Sequence, residues 1–457
     1  MGDATVLDAL RVALGPSAML TGDDVGERYR SDASLTGLSL PSAVLRPDSV
    51  EQVAAALRIC NVFRQPVVPQ GGMTGLAGGA NARAGDIALS LERFAGIEDI
   101  NPASATMTVR AGTVLETTQK AAEDAGFLLP IDLGARGSCQ IGGVIATNAG
   151  GIRVLRHGQT RDNVLGLEVV LADGTVLTAL NKAIKNNTGY DLRQLFIGSE
   201  GTLGVVTRAV LRLRPLPSGR QTALCALSGY AQVLALLDRA RSGLPGLSAF
   251  EVMWESYFRF NEHAVGLTHF QAKHPFVVIV EREMGSADAG DLFESFLATC
   301  LESGILSDCH VAQSEREREG FWRVREGHAM DRLLPKLVNL DISMEIGLLG
   351  DFAEACGEKL LARFAGAHVS FYGHLGDGNL HVAVSVPDAS DKDIKAISTI
   401  AYDLVRERRG SISAEHGIGT LKRAYLSYSR SEAELDVMRR LKATLDPHGN
   451  LNPGKVI

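Results

Sequence analysis

The first half of the chain alternates amphipathic stretches with short apolar runs. Ser49-x-x-Gln52 is a capping box ahead of apolar positions at helical spacing, which predicts a helix through about Phe63. Strand-like Pro66-Val67-Val68-Pro69 follows and runs into a glycine-rich loop, 70–79. Ala105 to Val109 alternates as a half-buried strand. Thr113-x-x-Glu116 predicts the cap of a second helix that Gly126 ends. Val164 to Ala172, Asp173-Gly174, then Thr175 to Leu180 predicts a hairpin with a type I′ turn. Gly198 to Gly204 leads into a long strand ending near Pro215.

After Pro215-Leu216-Pro217-Ser218-Gly219 the glycine density falls, which marks a domain boundary. Beyond it, helical periodicity over about 228–242, 286–303 and 390–408 alternates with β-rich runs such as Phe276 to Glu281. The charged run Ser314 to Glu319 reads as a solvated helix face.

The length of 457 residues allows two or three domains with sizeable cores. The net charge of −7, with no basic patch interleaved with aromatics, argues against nucleic acid as a partner. Six cysteines with no C-x-x-C pair read as reduced thiols. The N-terminus carries no targeting or myristoylation pattern, and no run reaches the ~20 apolar residues of a membrane span. A cytoplasmic protein is expected, with peripheral membrane contact left open.

Three glycine tracts, 71–79, 134–151 and 198–204, carry the first candidate chemistry. They match neither a Walker loop nor G-x-G-x-x-G. Pyrophosphate needs close backbone approach and open N–H donors, and one dinucleotide lying across all three would explain them together. The second candidate is Gly373-His374-Leu375-Gly376-Asp377-Gly378-Asn379-Leu380-His381, followed by Ala414-Glu415-His416-Gly417. A hairpin-like turn would bring His374, ending one strand, to His381, beginning the next, with Glu415 as carboxylate. Such a set suits one divalent cation: zinc first, with manganese or iron also fitting. Asp377 in its G-D-G turn reads as a cap for the turn's own backbone, and Asn379 as a residue that orients the loop or touches a cofactor.

The segments Pro69 to Gly75, Ile141-Gly142-Gly143 to Gly151, and Phe196 to Gly204 resemble the FAD domain of the vanillyl-alcohol oxidase/p-cresol methylhydroxylase (PCMH) superfamily. The G-H-L-G-D-G-N-L-H, A-E-H-G and L-N-P-G-K segments narrow the resemblance to its FAD-linked oxidase C-terminal branch, of D-lactate dehydrogenase and D-2-hydroxyglutarate dehydrogenase type. The likeness runs from about residue 40 to the C-terminus. It implies an α+β fold: a PCMH-type FAD-binding domain (1–217), an α+β cap domain with the metal motif (218–410), and a segment (411–457) that returns to the FAD domain and completes the active site. Noncovalent FAD is implied, with Pro69, Gly71, Gly72, Met73, Thr74 and Gly75 at the pyrophosphate. Asp132, Ser138, Gly142, Gly143, Asn148 and Gly151 would line the cofactor, and Glu200, Gly204 and Val206 its adenosine half. Cys139, near where some relatives attach flavin, reads as a small buried thiol.

The implied activity is oxidation of a D-2-hydroxy acid to the 2-oxo acid by hydride transfer to flavin N5. His374, His381 and Glu415 would hold a divalent metal, His416 would act as base, and Arg325 would pair with the substrate carboxylate. The sequence leaves the acceptor open between an electron-transfer flavoprotein, a quinone, a cytochrome and oxygen, and a homodimer is compatible. Three positions depart from the 2-hydroxyglutarate pattern: Ala329 replaces a threonine, Asn339 a lysine and Ala383 an asparagine. They point to another substrate or another way of binding it, with His328 and Lys336 as nearby polar residues. The alternatives are a flavoprotein subunit of a glycolate-oxidase-like complex, silent without its companions, or a non-redox flavin-dependent transferase.

Overall fold

The computed structural model describes residues 5–285 and 291–457. Residues 1–4, within the N-terminal segment expected to carry no targeting pattern, and 286–290, which open the helix expected over 286–303, lie outside the described residues. The rest of that helix is Leu292–Glu302. The chain divides into two units: Met1–Gly151 with Gly158–Leu216 and Glu415–Ile457, and Ile152–His157 with Pro217–Ala414.

In the first unit the helix Val50–Val62 forms where the capping box places it. Ser49 Oγ accepts from the Gln52 N–H, and Gln52 Oε1 reaches back to the N–H of Asp48 at 3.0 Å. Its apolar stripe, Val53, Ala56, Leu57 and Cys60, is buried. The strand Val67–Gln70 lies parallel to Ile87–Ser90 in a four-stranded sheet, and Leu451 from the C-terminal tail bridges to Val67. The strand Thr106–Arg110 sits inside a five-stranded antiparallel sheet and is buried at four successive positions, not in alternation. Both sheets contribute to one core that includes Leu57, Ile87, Met107, Val169 and Leu211.

Two local expectations are corrected here. The second helix, Leu115–Asp124, is entered through Val114 with no side-chain cap. Thr113 Oγ1 instead donates to the Arg110 carbonyl at 2.7 Å and accepts from the Gly96 N–H, so its hydroxyl is committed to a turn. Gly126, at φ +81°, does end that helix. The hairpin Val164–Val170/Val176–Ala179 closes through a longer loop than a type I′ turn: only Gly174 is left-handed, Gly174 N–H bonds the Leu171 carbonyl, and Leu171 pairs with Thr175. This is a type I turn followed by a glycine in the left-handed region, the usual three-residue solution.

The second unit is built on a seven-stranded sheet whose pairings among the described residues are all antiparallel. Its order is Asp308–Val311, Gly219–Leu227, Phe276–Met284, Leu247–Trp254, His368–His374, Asn379–Ser385 and Leu337–Ser343. Ser314 caps the helix Glu315–Glu326, which packs with Glu255–Ala264 in a cluster holding Tyr257, Phe258, Phe321, Trp322, Val324 and Met330. The short segment 152–157 belongs to this unit through Arg153, Arg156 and His157, which converge on the buried Glu283 at 2.8–3.1 Å.

Candidate active site

Sheet periodicity sets the first part of the site. Alternate residues of a strand share a face, and directly paired residues on neighbouring strands share it too. Glu251 pairs with His374, and Tyr372, two residues before His374, pairs with His381, which in turn pairs with Asp341. Four adjacent strands therefore present Glu251, His374, Tyr372, His381 and Asp341 together. The imidazoles of His374 and His381 meet edge to face with centroids 5.5 Å apart, and His381 stacks on Tyr372 at 4.8 Å. The glycines of the motif serve the turn: a Cβ on Gly373 would lie 2.3 Å from the Asn379 carbonyl oxygen, and Gly378 has φ +82°. Asp377 Oδ1 accepts from the Asn379 N–H at 3.3 Å, capping the turn as its sequence context predicts. Asn379 Nδ2 donates to Asp341 and to the Ile342 carbonyl, so its amide orients the hairpin against the next strand.

Arg325 reaches this face from the helix Glu315–Glu326. Its guanidinium lies 4.9 Å above the Tyr372 ring, and its Nη2 is 2.6 Å from Glu251 Oε2. That contact is one of charge more than of direction, because Arg325 Nε and Nη2 are buried and make no well-formed hydrogen bond among the described residues. Glu251, 1% exposed, places its other oxygen 2.8 Å from His374 Nδ1. Burial pushes the Glu251 carboxyl up, but His374 and Arg325 outweigh it and hold it below its ordinary value.

The segment 411–414 is fastened beside His381. Ser343 and Ser411 exchange backbone hydrogen bonds, Ser413 Oγ donates to Asp341 Oδ2 at 3.0 Å, and Ala414 N–H donates to Asp341 Oδ1 at 2.9 Å. Glu415 and His416 follow directly in the chain. Within the first unit, Glu415 Oε1 accepts from the Gly151 N–H at 2.8 Å, and a Cβ on Gly150 would lie 2.9 Å from the same oxygen. The paired glycines at 150 and 151 thus make room for this carboxylate and hold it.

The three glycine tracts converge in the first unit. A Cβ on Gly71 would meet Gln140 and Gly143, one on Gly201 would meet Pro69 at 3.1 Å, and Glu200 N–H donates to the Ala146 carbonyl at 2.7 Å. Each tract also holds a non-glycine in the left-handed region: Met73, Asn148 and Glu200, at φ +56°, +49° and +51°. Such strain persists where surrounding structure enforces it, commonly at ligand sites. Gln140 Oε1, beside Gly71, is buried with no hydrogen-bond partner among the described residues. Gly143 is exposed with open space where its side chain would be.

Two matches to known families fit this geometry: residues 41–180 match the FAD binding domain, and residues 216–456 match the C-terminal domain of FAD linked oxidases. The D-2-hydroxyglutarate dehydrogenase of Xanthomonas citri pv. viticola is 41% identical over 94% of this chain and 92% of its own length. The mitochondrial D-2-hydroxyglutarate dehydrogenase of Bos taurus is 39% identical over 97% of this chain and 81% of its own. The chain belongs to the FAD-linked oxidase family. Among solved structures, p-cresol methylhydroxylase with substrate bound superposes with a TM-score of 0.77 at 15% identity, covering 99% of this chain and 96% of that one. Alkyldihydroxyacetonephosphate synthase gives 0.78 at 16%, covering 98% and 85%. Both share the PCMH-type fold.

This FAD-linked oxidase fold lets the cofactor residues be sorted. Gly71 lies against Gln140 and Gly143, Gln140 Oε1 has no hydrogen-bond partner among the described residues, and Gly143 has open space at its Cβ position. Thr74 and Ser138 lie on the same loops, Thr74 half-buried and Ser138 exposed. Other residues of the set also have contacts within the protein. A Cβ on Gly72 would meet the Ser138 backbone, one on Gly142 would meet Ala111, one on Gly75 would meet Asp32, and one on Gly204 would meet Val169 and Phe196. Val206 is core, Asn148 bonds Gln159 and Arg161, and Asp132 pairs with Arg136 at 2.7 Å. Glu200 spends its carboxylate on the N–H groups of Ile418 and Gly419 at 2.6 and 2.8 Å, anchoring the loop after His416. Cys139 is buried, and burial pushes its thiol up to about 11. No helix among the described residues is long and apolar enough to cross a membrane.

Glu251 and Asp341 were missed by sequence reasoning. Each sits inside an apolar-flanked strand far from the motif it serves, Glu251 being 123 residues from His374. The available signal was a lone carboxylate on the inward face of a strand, which is costly unless partnered.

Proposed function

We propose that this chain oxidises a D-2-hydroxy acid of the D-2-hydroxyglutarate class to the 2-oxo acid, using FAD and a divalent cation held by His374, His381 and Glu415. The observation that carries the reading is the buried row joining His381, His374, Glu251 and Arg325, two imidazoles beside an arginine whose Nε has no partner among the described residues. The names of relatives that match over nearly the whole chain support it. Chain connectivity supports Glu415 as third ligand: it follows Ala414, which is bonded to the carboxylate paired with His381.

FAD, when bound, supplies the acceptor for the hydride from C2, and the cation supplies the charge that acidifies the substrate hydroxyl. The residues do the rest. Arg325, whose buried Nε has no protein partner among the described residues, would pair with the substrate carboxylate. His416 takes the hydroxyl proton on an imidazole nitrogen, a group that titrates near neutral pH. Ser413, Ala414 and Asp341 hold the backbone from which Glu415 and His416 project. Ala329 and Ala383 are buried, Ala383 in the apolar cluster with Tyr257 and Met330, whereas Asn339 faces solvent near Asp331. Two of the three departures thus put buried alanines where the family pattern has polar side chains, which favours a different hold on a second carboxylate. Electrons would leave to an electron-transfer flavoprotein, a quinone or a cytochrome.

The test is anaerobic mixing of the FAD-containing protein with mono- and dicarboxylic D-2-hydroxy acids, scored by flavin bleaching. His416→Ala should keep FAD and slow bleaching by about 10²–10⁴-fold. Normal bleaching in that variant removes His416 as base. No bleaching of the wild-type chain by any acid of the panel sinks the dehydrogenase reading in favour of a partner-dependent subunit or a transferase.

A further inference from the structure

Glu251 carries a role that the proposed chemistry leaves unassigned. It lies in the middle of the seven-stranded sheet, 1% exposed, and divides its two oxygens between two different functional groups. Oε1 is 2.8 Å from His374 Nδ1, and Oε2 is 2.6 Å from Arg325 Nη2. A buried carboxylate is costly to desolvate, and apolar packing at the same place would serve stability as well. Its place between an imidazole and a guanidinium is one where it can act on both.

We propose that Glu251 is a positioning residue that couples the cation ligand His374 to the substrate-binding Arg325. The inference rests on the cation reading above. An ionised carboxylate accepts hydrogen bonds only, so the proton of the His374 ring sits on Nδ1 and the lone pair on Nε2, the atom a cation takes. The register places Glu251 directly opposite His374, so the ring is aimed by a rigid cross-strand pair and not by a loop. The same carboxylate draws one edge of Arg325 toward the sheet while Tyr372 lies beneath the guanidinium plane. With Nη2 held by Glu251, the buried Nε stays without a protein partner among the described residues and is available to an anion. One side chain thereby fixes the distance between the cation and the substrate carboxylate.

The test uses full-length, FAD-containing protein stripped of metal and titrated with Zn²⁺ by calorimetry, together with steady-state KM and kcat for the best acid of the panel. Glu251→Gln keeps size and one acceptor but loses charge. It should weaken Zn²⁺ binding by about 10–100-fold and raise KM by a similar factor, with flavin content unchanged. Glu251→Asp keeps charge at shorter reach and should recover part of both losses; it also reports if the glutamine variant does not fold. A purely structural carboxylate would lower the melting temperature while leaving Zn²⁺ affinity and KM at wild-type values, and that result overturns the inference. Failure of the wild-type chain to bind Zn²⁺, or any of Mn²⁺ and Fe²⁺, sinks the cation reading itself and this inference with it. Binding that is equal in wild type and Glu251→Gln sinks the inference alone.

Discussion

Glycine 72 and glycine 143 belong to the same glycine-rich surface yet answer to different constraints. A Cβ on Gly72 would sit 2.0 Å from the Ser138 carbonyl oxygen, a backbone atom that cannot step aside. A Cβ on Gly143, in the helix Ile141–Ala146, would meet nothing within 4 Å. Gly72→Ala should therefore destabilise the fold by about 1–3 kcal/mol through overpacking, read in urea unfolding. Gly143→Ala should be neutral or stabilising by up to about 1 kcal/mol, since alanine suits a helix better, while FAD is released more readily. If Gly143→Ala retains FAD as tightly as wild type in a flavin-fluorescence titration, that glycine does not face the cofactor. The resemblance assigned both residues to the cofactor; the distances show that Gly72 also has a neighbour that excludes a side chain, whereas Gly143 has none.

At the scale of elements, the segment from Gly373 to His381 is a hairpin whose glycines serve geometry and whose histidines are the proposed cation ligands. Gly373→Ala should disrupt the pairing of His368–His374 with Asn379–Ser385, because its Cβ would lie 2.3 Å from the Asn379 carbonyl oxygen. A loss of about 1–3 kcal/mol and weaker cation binding are expected together; stability and affinity both at wild-type values would contradict this account of the hairpin. Local signals of this kind were legible. Ser49 caps its helix, Gly126 ends its own, and Asp377 caps the turn as read. Thr113 misled because a hydroxyl near a helix start can serve a turn just as well, and here it bonds Arg110 and Gly96. The turn at Asp173-Gly174 misled because a single left-handed glycine fits the longer loop as readily as the two-residue one.

For the whole molecule, the convergence of three glycine tracts and of the two histidines was legible, since each carries a compact motif. The strand order was not. The central strand Leu247–Trp254 finds His368–His374 across more than a hundred residues, and nothing local in either strand specifies that neighbour. The coupling of Glu251 to His374 and Arg325 is a product of that long-range pairing. The central claim is that a cation beside His374 and His381 is required when the chain passes hydride from a D-2-hydroxy acid to FAD. Its most direct test is anaerobic reduction of the bound flavin by D-2-hydroxyglutarate, followed optically in protein as purified, after chelation, and after Zn²⁺ or Mn²⁺ is restored. Rapid bleaching, its suppression on chelation and its recovery on metal addition are the predicted results; full bleaching by metal-free protein would contradict the account.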